Sequence, residues 1–85
     1  MKIIFSPTAL DDLEYWKKTG NTVILKRIQL LLKAIQQDPF NGIGKPEALK
    51  HDWSGFWSRR INQEHRVVYK ISDDTINVVQ VRFHY

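Results

Sequence analysis

Ile24, Ile28, Leu31 and Ile35 recur at helical spacing, and Leu25 and Leu32 widen the stripe they form. Lys26, Arg27, Lys33, Gln36 and Gln37 fill the opposite side, so this stretch is an amphipathic helix with one face committed to a core. Asn21 or Thr22 can cap its start. Asp38-Pro39 ends it, because a residue before proline is pushed out of the helical region. A helix before it begins at Ser6-Pro7, with serine as the cap and proline where a missing N–H costs nothing. Leu10, Leu13 and Trp16 space its apolar side, Asp11 and Asp12 lie early, Lys17 and Lys18 lie late, and Gly20 stops it. One short break between the two predicts an antiparallel helical hairpin that serves as scaffold.

The rest of the chain carries a different period. Residues 2–5 are short, apolar and β-branched, and read as a first strand. A loop from residue 40 to about residue 53 holds Gly42, Gly44 and Pro46. Three strand-like runs follow, at 56–61, 65–71 and 75–83 or beyond, separated by turns at 62–64 and 72–74. They predict an antiparallel meander with the first strand added at one side. The fold class is therefore α+β: one domain over 1–85, with an N-terminal strand and a two-helix antiparallel hairpin packed on a mainly antiparallel, twisted sheet. Strand alternation puts Phe56, Ser58 and Arg60 on one face and Trp57, Arg59 and Ile61 on the other. It sets Arg66, Val68 and Lys70 against His65, Val67, Tyr69 and Ile71. In the last run it sets Val78, Gln80, Arg82 and His84 against Val79, Val81, Phe83 and Tyr85. The apolar sets should meet the helices. A face carrying Arg60, Arg66 and His84 should be open, unless a bulge near the C-terminal end breaks the alternation.

Composition narrows the function. A chain of 85 residues buries only about 60–65% of its unfolded surface, so a shallow site is expected rather than a deep pocket. The absence of cysteine excludes disulfides, thiolate metal sites and a cysteine nucleophile, and suits a reducing cytoplasm. The N-terminal apolar run is too short for a signal peptide and no run approaches a membrane span, so a soluble, cytoplasmic protein with no membrane partner is expected. Lys plus Arg number 13 against 9 acidic residues, a net charge of +4, which favours anionic partners and nucleic acid above all. His51, His65 and His84 show no HxH or HxxxH spacing, so neither a metal site nor a cofactor is expected.

Most polar residues that could do chemistry fall within residues 44–69, and the terminal Phe83-His84-Tyr85 is expected to return to the same place. Arginines, a histidine and a loop glutamate on one sheet face suit RNA cleavage by transesterification. That reaction needs a base for the 2′-hydroxyl, positive charge for the phosphate oxygens and an acid for the departing 5′-oxygen. A carboxylate, an arginine and an imidazole can fill those roles without metal. Each residue has a structural alternative. Glu47 could pair with Lys45 or Lys50, Arg66 with an acidic group across the sheet, and His84 could simply be exposed. His51 and His65 are rival histidines. Trp53, Trp57 and Tyr85 could stack on bases, although packing is the commoner use.

The ordered set Gly44-Lys45-Pro46-Glu47-Ala48-Leu49-Lys50-His51, Ser54-Gly55-Phe56-Trp57-Ser58-Arg59-Arg60-Ile61, Glu64-His65-Arg66-Val67-Val68-Tyr69 and Arg82-Phe83-His84-Tyr85 resembles the YoeB (Txe) toxins of the RelE/ParE superfamily. The likeness extends to the early Asp-Asp with Tyr15-Trp16 and to Asp38-Pro39-Phe40, and so covers essentially the whole chain; Ala48 and Val67 are mild departures. It implies a RelE-like fold and a toxin of a type II toxin–antitoxin system. It further implies a metal-independent mRNA interferase that cuts mRNA in the ribosomal A site and is neutralised by a YefM-type antitoxin. By position, Glu47 matches the general base, Arg66 the phosphate-stabilising arginine and His84 the general acid. Lys50, Arg60 and Tyr85 match positions that orient phosphate or substrate. A homodimer, and operator DNA bound only through the antitoxin complex, follow from the resemblance alone. The alternatives are a non-catalytic gyrase inhibitor of the ParE kind and a plain RNA-binding module.

Overall fold

Ser6 ends the first strand and starts the first helix. Its Oγ accepts from the Ala9 N–H at 3.1 Å, capping the helix, and donates to the Val79 carbonyl at 2.9 Å, tying the cap to a strand distant in sequence. The computed structural model of the chain describes residues 1–83. Within it run β1 (Lys2–Phe5), α1 (Pro7–Lys18), α2 (Thr22–Gln37), β2 (Glu47–Ala48), a 3₁₀ turn (His51–Trp53), β3 (Trp57–Arg60), β4 (Arg66–Ser72) and β5 (Thr75–Gln80). The five strands form one sheet in the order β1-β5-β4-β3-β2. β3, β4 and β5 are the expected antiparallel meander, and β1 joins beside β5 in parallel. The structure thus has the expected α+β architecture. None of the described helices is long and apolar enough to cross a membrane.

The helix turn is closed by backbone bonds from Gly20 to Lys17 and from Asn21 to Trp16, with Gly20 at φ +66° in the left-handed region. Of the two candidate caps for α2, Asn21 takes the role through its Oδ1 and the Ile24 N–H. All four stripe residues of α2 are buried against Val67, Tyr69, Ile76, Val78 and Val81. The α1 stripe differs from expectation. Leu10 is 53% exposed, and Ala9 and Trp16 are the residues that enter the core. Position 9 sits one turn below Leu13, so a small alanine there lets the helix approach the sheet.

Two further expectations need correction. The loop after Pro39 is not structureless. Glu47 and Ala48 pair with Ser58 and Trp57, and the Arg60 N–H donates to the Gly44 carbonyl, so the segment lies along β3 as an edge strand. The last strand stops at Gln80 rather than running to Phe83. Val68 and Tyr69 are consecutive on β4 but pair with Gln80 and Val78, leaving Val79 as an extra residue. This bulge puts both Val78 and Val81 into the core, where simple alternation placed Val78 on the outer face.

Arg59 anchors the loop that leads to β2. It shares the core-facing side with Trp57 and Ile61 and is fully buried. Its Nε donates to Tyr69 Oη at 3.2 Å, Nη1 to the Ile43 carbonyl at 3.2 Å, and Nη2 to the carbonyls of Asn41 (3.0 Å) and Asp38. Tyr69 Oη in turn donates to the Pro39 carbonyl at 2.6 Å. A buried guanidinium is tolerated only when its donors are used, and here loop carbonyls use them. Asp38 folds the same loop from outside, accepting from the Phe40 and Asn41 N–H groups. The Phe40 bond, followed by Asn41 and the Arg59 charge, holds its carboxyl below the usual range.

Tyr69→Phe leaves Arg59 Nε and the Pro39 carbonyl without partners. We expect it to lower unfolding free energy by about 1–3 kcal/mol in urea denaturation at neutral pH. Burial pushes the Tyr69 phenol above its ordinary 10.0, against the lowering effect of Arg59. Its contribution is therefore complete below pH 10 and lost as pH rises through the folded-state value, so the gap between wild type and variant should narrow only in that alkaline range. Gly44, at φ +85°, has room for no Cβ: one would lie 2.7 Å from Leu31 Cδ2 and 3.1 Å from Arg59 Cβ. Gly44→Ala should cost on the order of 1–3 kcal/mol by the same measurement.

Candidate active site

The face of the sheet turned away from the helices carries three of the predicted residues, Glu47, Arg60 and Arg66. Pairing places Glu47 opposite Ser58, Ser58 opposite Val68 and Val68 opposite Gln80, so these four form one row across β2, β3, β4 and β5. Arg60 and Arg66 face each other in the row two residues along. From strand spacing and rise, the Cα atoms of Glu47 and Arg66 are about 12 Å apart. The face is not open throughout. Ser58 and Val68 are buried and form its floor, while Glu47 and Arg60 are exposed and Arg66 is half-buried at the margin.

Glu47 comes from the edge strand, not from a free loop. The chain after it is pinned by the Leu49 N–H to the Phe56 carbonyl (2.9 Å) and by the buried Leu49 side chain. Lys50 then precedes the 3₁₀ turn and is exposed. Glu47, Ala48, Leu49, Lys50 and His51 line a shallow depression of about 280 Å³. Trp57 packs rather than faces this surface, joining the core and contacting Phe40 at 4.9 Å, while Trp53 meets Phe56 edge-on at 5.3 Å.

Arg66 is oriented by the turn before it. Asn62 Oδ1 accepts from the N–H groups of Glu64 and His65, which folds residues 62–65 so that three carbonyls converge. Arg66 Nη1 donates to those of Asn62 (2.7 Å), Gln63 (3.1 Å) and His65 (3.1 Å). Fixing one nitrogen of a planar guanidinium fixes its plane. Two arginines directly opposite each other repel, and that arrangement suits an anion placed between them.

The proposed acid, His84, and the terminal Tyr85 lie outside the described residues. The segment that leads to them is described and is held from several sides. The Val81 N–H donates to Asp12 Oδ2 (3.0 Å), and the Val81 carbonyl accepts from the Trp16 indole (2.9 Å). The Phe83 N–H donates to His65 Nδ1 (2.7 Å), and the Phe83 carbonyl accepts from the Arg66 N–H (3.1 Å). The Arg82 guanidinium lies 3.5 Å from the Tyr15 ring centroid. These bonds replace the strand ladder that the segment leaves at Gln80. Burial raises the Asp12 carboxyl above its ordinary range, opposed by the Val81 N–H and the Arg82 charge.

Sequence reasoning did not assign the roles of Arg59, Asp12, Trp16 and His65. An arginine in phase with Trp57 and Ile61 was a visible signal for Arg59. Asp12, expected to serve the helix dipole, instead binds a strand end 69 residues away, and no local pattern reveals that. Of the rival histidines, His65 is only 7% exposed and uses both ring nitrogens, with Nε2 3.3 Å from Glu64 Oε1. It is therefore part of the scaffold, and His51 is exposed beside Lys50.

Residues 5–85 match a family described as the YoeB-like toxin of bacterial type II toxin-antitoxin systems. The chain is 48% identical to Toxin YoeB of Escherichia coli K12 over 85 residues, covering all of both chains. It is 53% identical to Toxin YoeB of Synechocystis, covering all of this chain and 98% of that one. Among solved structures, a YoeB/ParE toxin from Agrobacterium tumefaciens superposes with a TM-score of 0.95 at 42% identity, covering both chains completely. YoeB from Staphylococcus aureus superposes over all of this chain and 98% of that one. Its complex with YefM gives a TM-score of 0.90 at 43% identity and its dimer 0.91 at 42%. With its fold, its length and its ordered residues all in agreement, this chain belongs to the YoeB-like toxins of bacterial type II toxin–antitoxin systems.

Proposed function

We propose that this toxin is a metal-independent endoribonuclease that cuts mRNA in the ribosomal A site and so stops translation. The observation that carries the reading is the shared outer face of Glu47, Arg60 and Arg66, with the Phe83 carbonyl bonded to the Arg66 N–H. His84 is the next residue in the chain after Phe83.

Glu47 takes the proton of a 2′-hydroxyl, and the 2′-oxygen attacks the adjacent phosphorus. Arg66 stabilises the negative charge that builds on the phosphate oxygens, and His84 gives a proton to the departing 5′-oxygen. The P–O5′ bond breaks, leaving a 2′,3′-cyclic phosphate, or a 3′-phosphate after hydrolysis, and a 5′-hydroxyl. Lys50, Arg60 and Tyr85 orient the strand. A shallow basic face binds free RNA loosely and with strong salt dependence. The ribosome supplies what the small domain lacks by presenting mRNA in a fixed geometry, a contribution of several kcal/mol. A YefM-type antitoxin neutralises the toxin by covering the same surface, as the likeness to a YoeB–YefM complex supports. A homodimer is supported by the likeness to the S. aureus YoeB dimer, and operator DNA is reached only through the antitoxin complex. Because ribosomes are the target, the site of action is the cytoplasm.

Primer extension on mRNA in a purified translation system tests this. Wild type should give A-site cuts that require ribosomes, and Glu47→Ala, Arg66→Ala and His84→Ala should each cut at least about 10²-fold more slowly. Cutting at wild-type rate by all three variants would overturn the site. Intact mRNA together with inhibited DNA gyrase would replace the reading with the ParE-like one, and RNA bound without cleaved ends would leave an RNA-binding module.

A further inference from the structure

Residues 81–83 follow the end of β5 at Gln80, and Phe83 sits there at φ +63°. A bulky residue in the left-handed region is strained and stays there only when its surroundings hold it. The bonds around Phe83 are therefore informative. Its carbonyl is held by a backbone N–H, which any residue at position 66 other than proline would supply. Its own N–H is held by a side chain, His65 Nδ1, at 2.7 Å.

We infer that His65 is a positioning residue for the proposed general acid: its Nδ1 lone pair holds the Phe83 amide and so sets where the next residue, His84, departs. This inference rests on the cleavage reading above. A neutral imidazole has one donor and one acceptor, and which nitrogen accepts depends on the partner of the other. Here Nε2 lies 3.3 Å from Glu64 Oε1 and takes the hydrogen, leaving Nδ1 as acceptor. The ring is held edge-on by Trp16 at 4.8 Å and tilted against Phe83 at 5.7 Å. Trp16 also holds the Val81 carbonyl, so one indole supports both ends of the segment. The charged groups that face the ring are Glu64 from its own turn and Asp12 from α1. A ring carrying hydrogens on both nitrogens would set donor against donor at Phe83 and release the bond.

Two substitutions separate positioning from packing. His65→Phe keeps a ring against Trp16 and removes the acceptor. His65→Asn loses the ring and keeps an oxygen near the place of Nδ1. In ribosome-dependent cleavage, His65→Phe should lower kcat about 10-fold or more with KM within about twofold, since misplacing a catalytic group acts on chemistry rather than binding. His65→Asn should recover most of that loss. Wild-type cleavage by His65→Phe, or equal impairment of both variants, would overturn the inference. Should His65→Phe not fold, nitrogen-15 correlation spectra of the wild-type protein decide. An Nε2–H tautomer with a slowly exchanging Phe83 amide supports the inference, and an Nδ1–H tautomer or a freely exchanging amide refutes it. His84→Ala is run alongside. If it cleaves like wild type, the assignment of His84 as the acid fails, and the positioning role fails with it. If it is inactive while His65→Phe is unaffected, only the positioning role fails.

Discussion

The buried guanidinium of Arg59 is the interaction on which the working face depends. A charge with no contact to solvent is costly, and the chain meets that cost by folding residues 38–43 around it, with carbonyls turned inward. The loop has too few apolar residues to pack on its own account. Once its carbonyls are committed to Arg59, Gly44 can approach Leu31 closely, and the following residues lie along β3. Glu47 is thereby delivered to an edge strand whose register with Ser58 is set by the sheet. A carboxylate on a paired strand is held better than one on a free loop, which is what the proposed role of Glu47 as a base requires.

The opposite end of the site shows the same economy. Gln80 ends the ladder, and Val81 and Phe83 beyond it are held by side chains drawn from α1 and the turn before β4. Asp12, Trp16 and His65 each bind one backbone group of that segment. The bulge at Val79 makes this possible by turning Val81 inward, so that its side chain fills the core while its backbone meets α1. The helices therefore do more than cover a sheet. Through Asp12 and Trp16, α1 also holds the chain that leads to the C-terminal histidine.

Between these two ends lie Arg60 and Arg66, placed in mutual opposition on the outer face. Such a pair weakens a sheet slightly in the absence of an anion. The convergence of three turn carbonyls on Arg66 Nη1 offsets that repulsion and orients the group in advance. A small domain that cannot build a deep pocket can still present pre-aligned charge.

The amino-acid sequence by itself determined the two helices, their caps, the antiparallel meander and the face that Ser58, Arg60, Arg66 and Val68 share. Those features follow from periods of 3.6 and 2 residues and from local cap chemistry, which a linear pattern records. Its ordered residues also carried the family resemblance and, through it, the assignment of Glu47, Arg66 and His84 as candidates. Only the tertiary structure decided the edge-strand setting of Glu47, the bulge that reverses the phase of Val78, the core position of Ala9 over Leu10, and the structural use of Arg59 and His65. Each depends on a partner outside its own element, such as Ser58 for Glu47, Ile43 for Arg59 and Phe83 for His65. A polar side chain's role is set by what lies opposite it in space, and spacing along the chain does not record that.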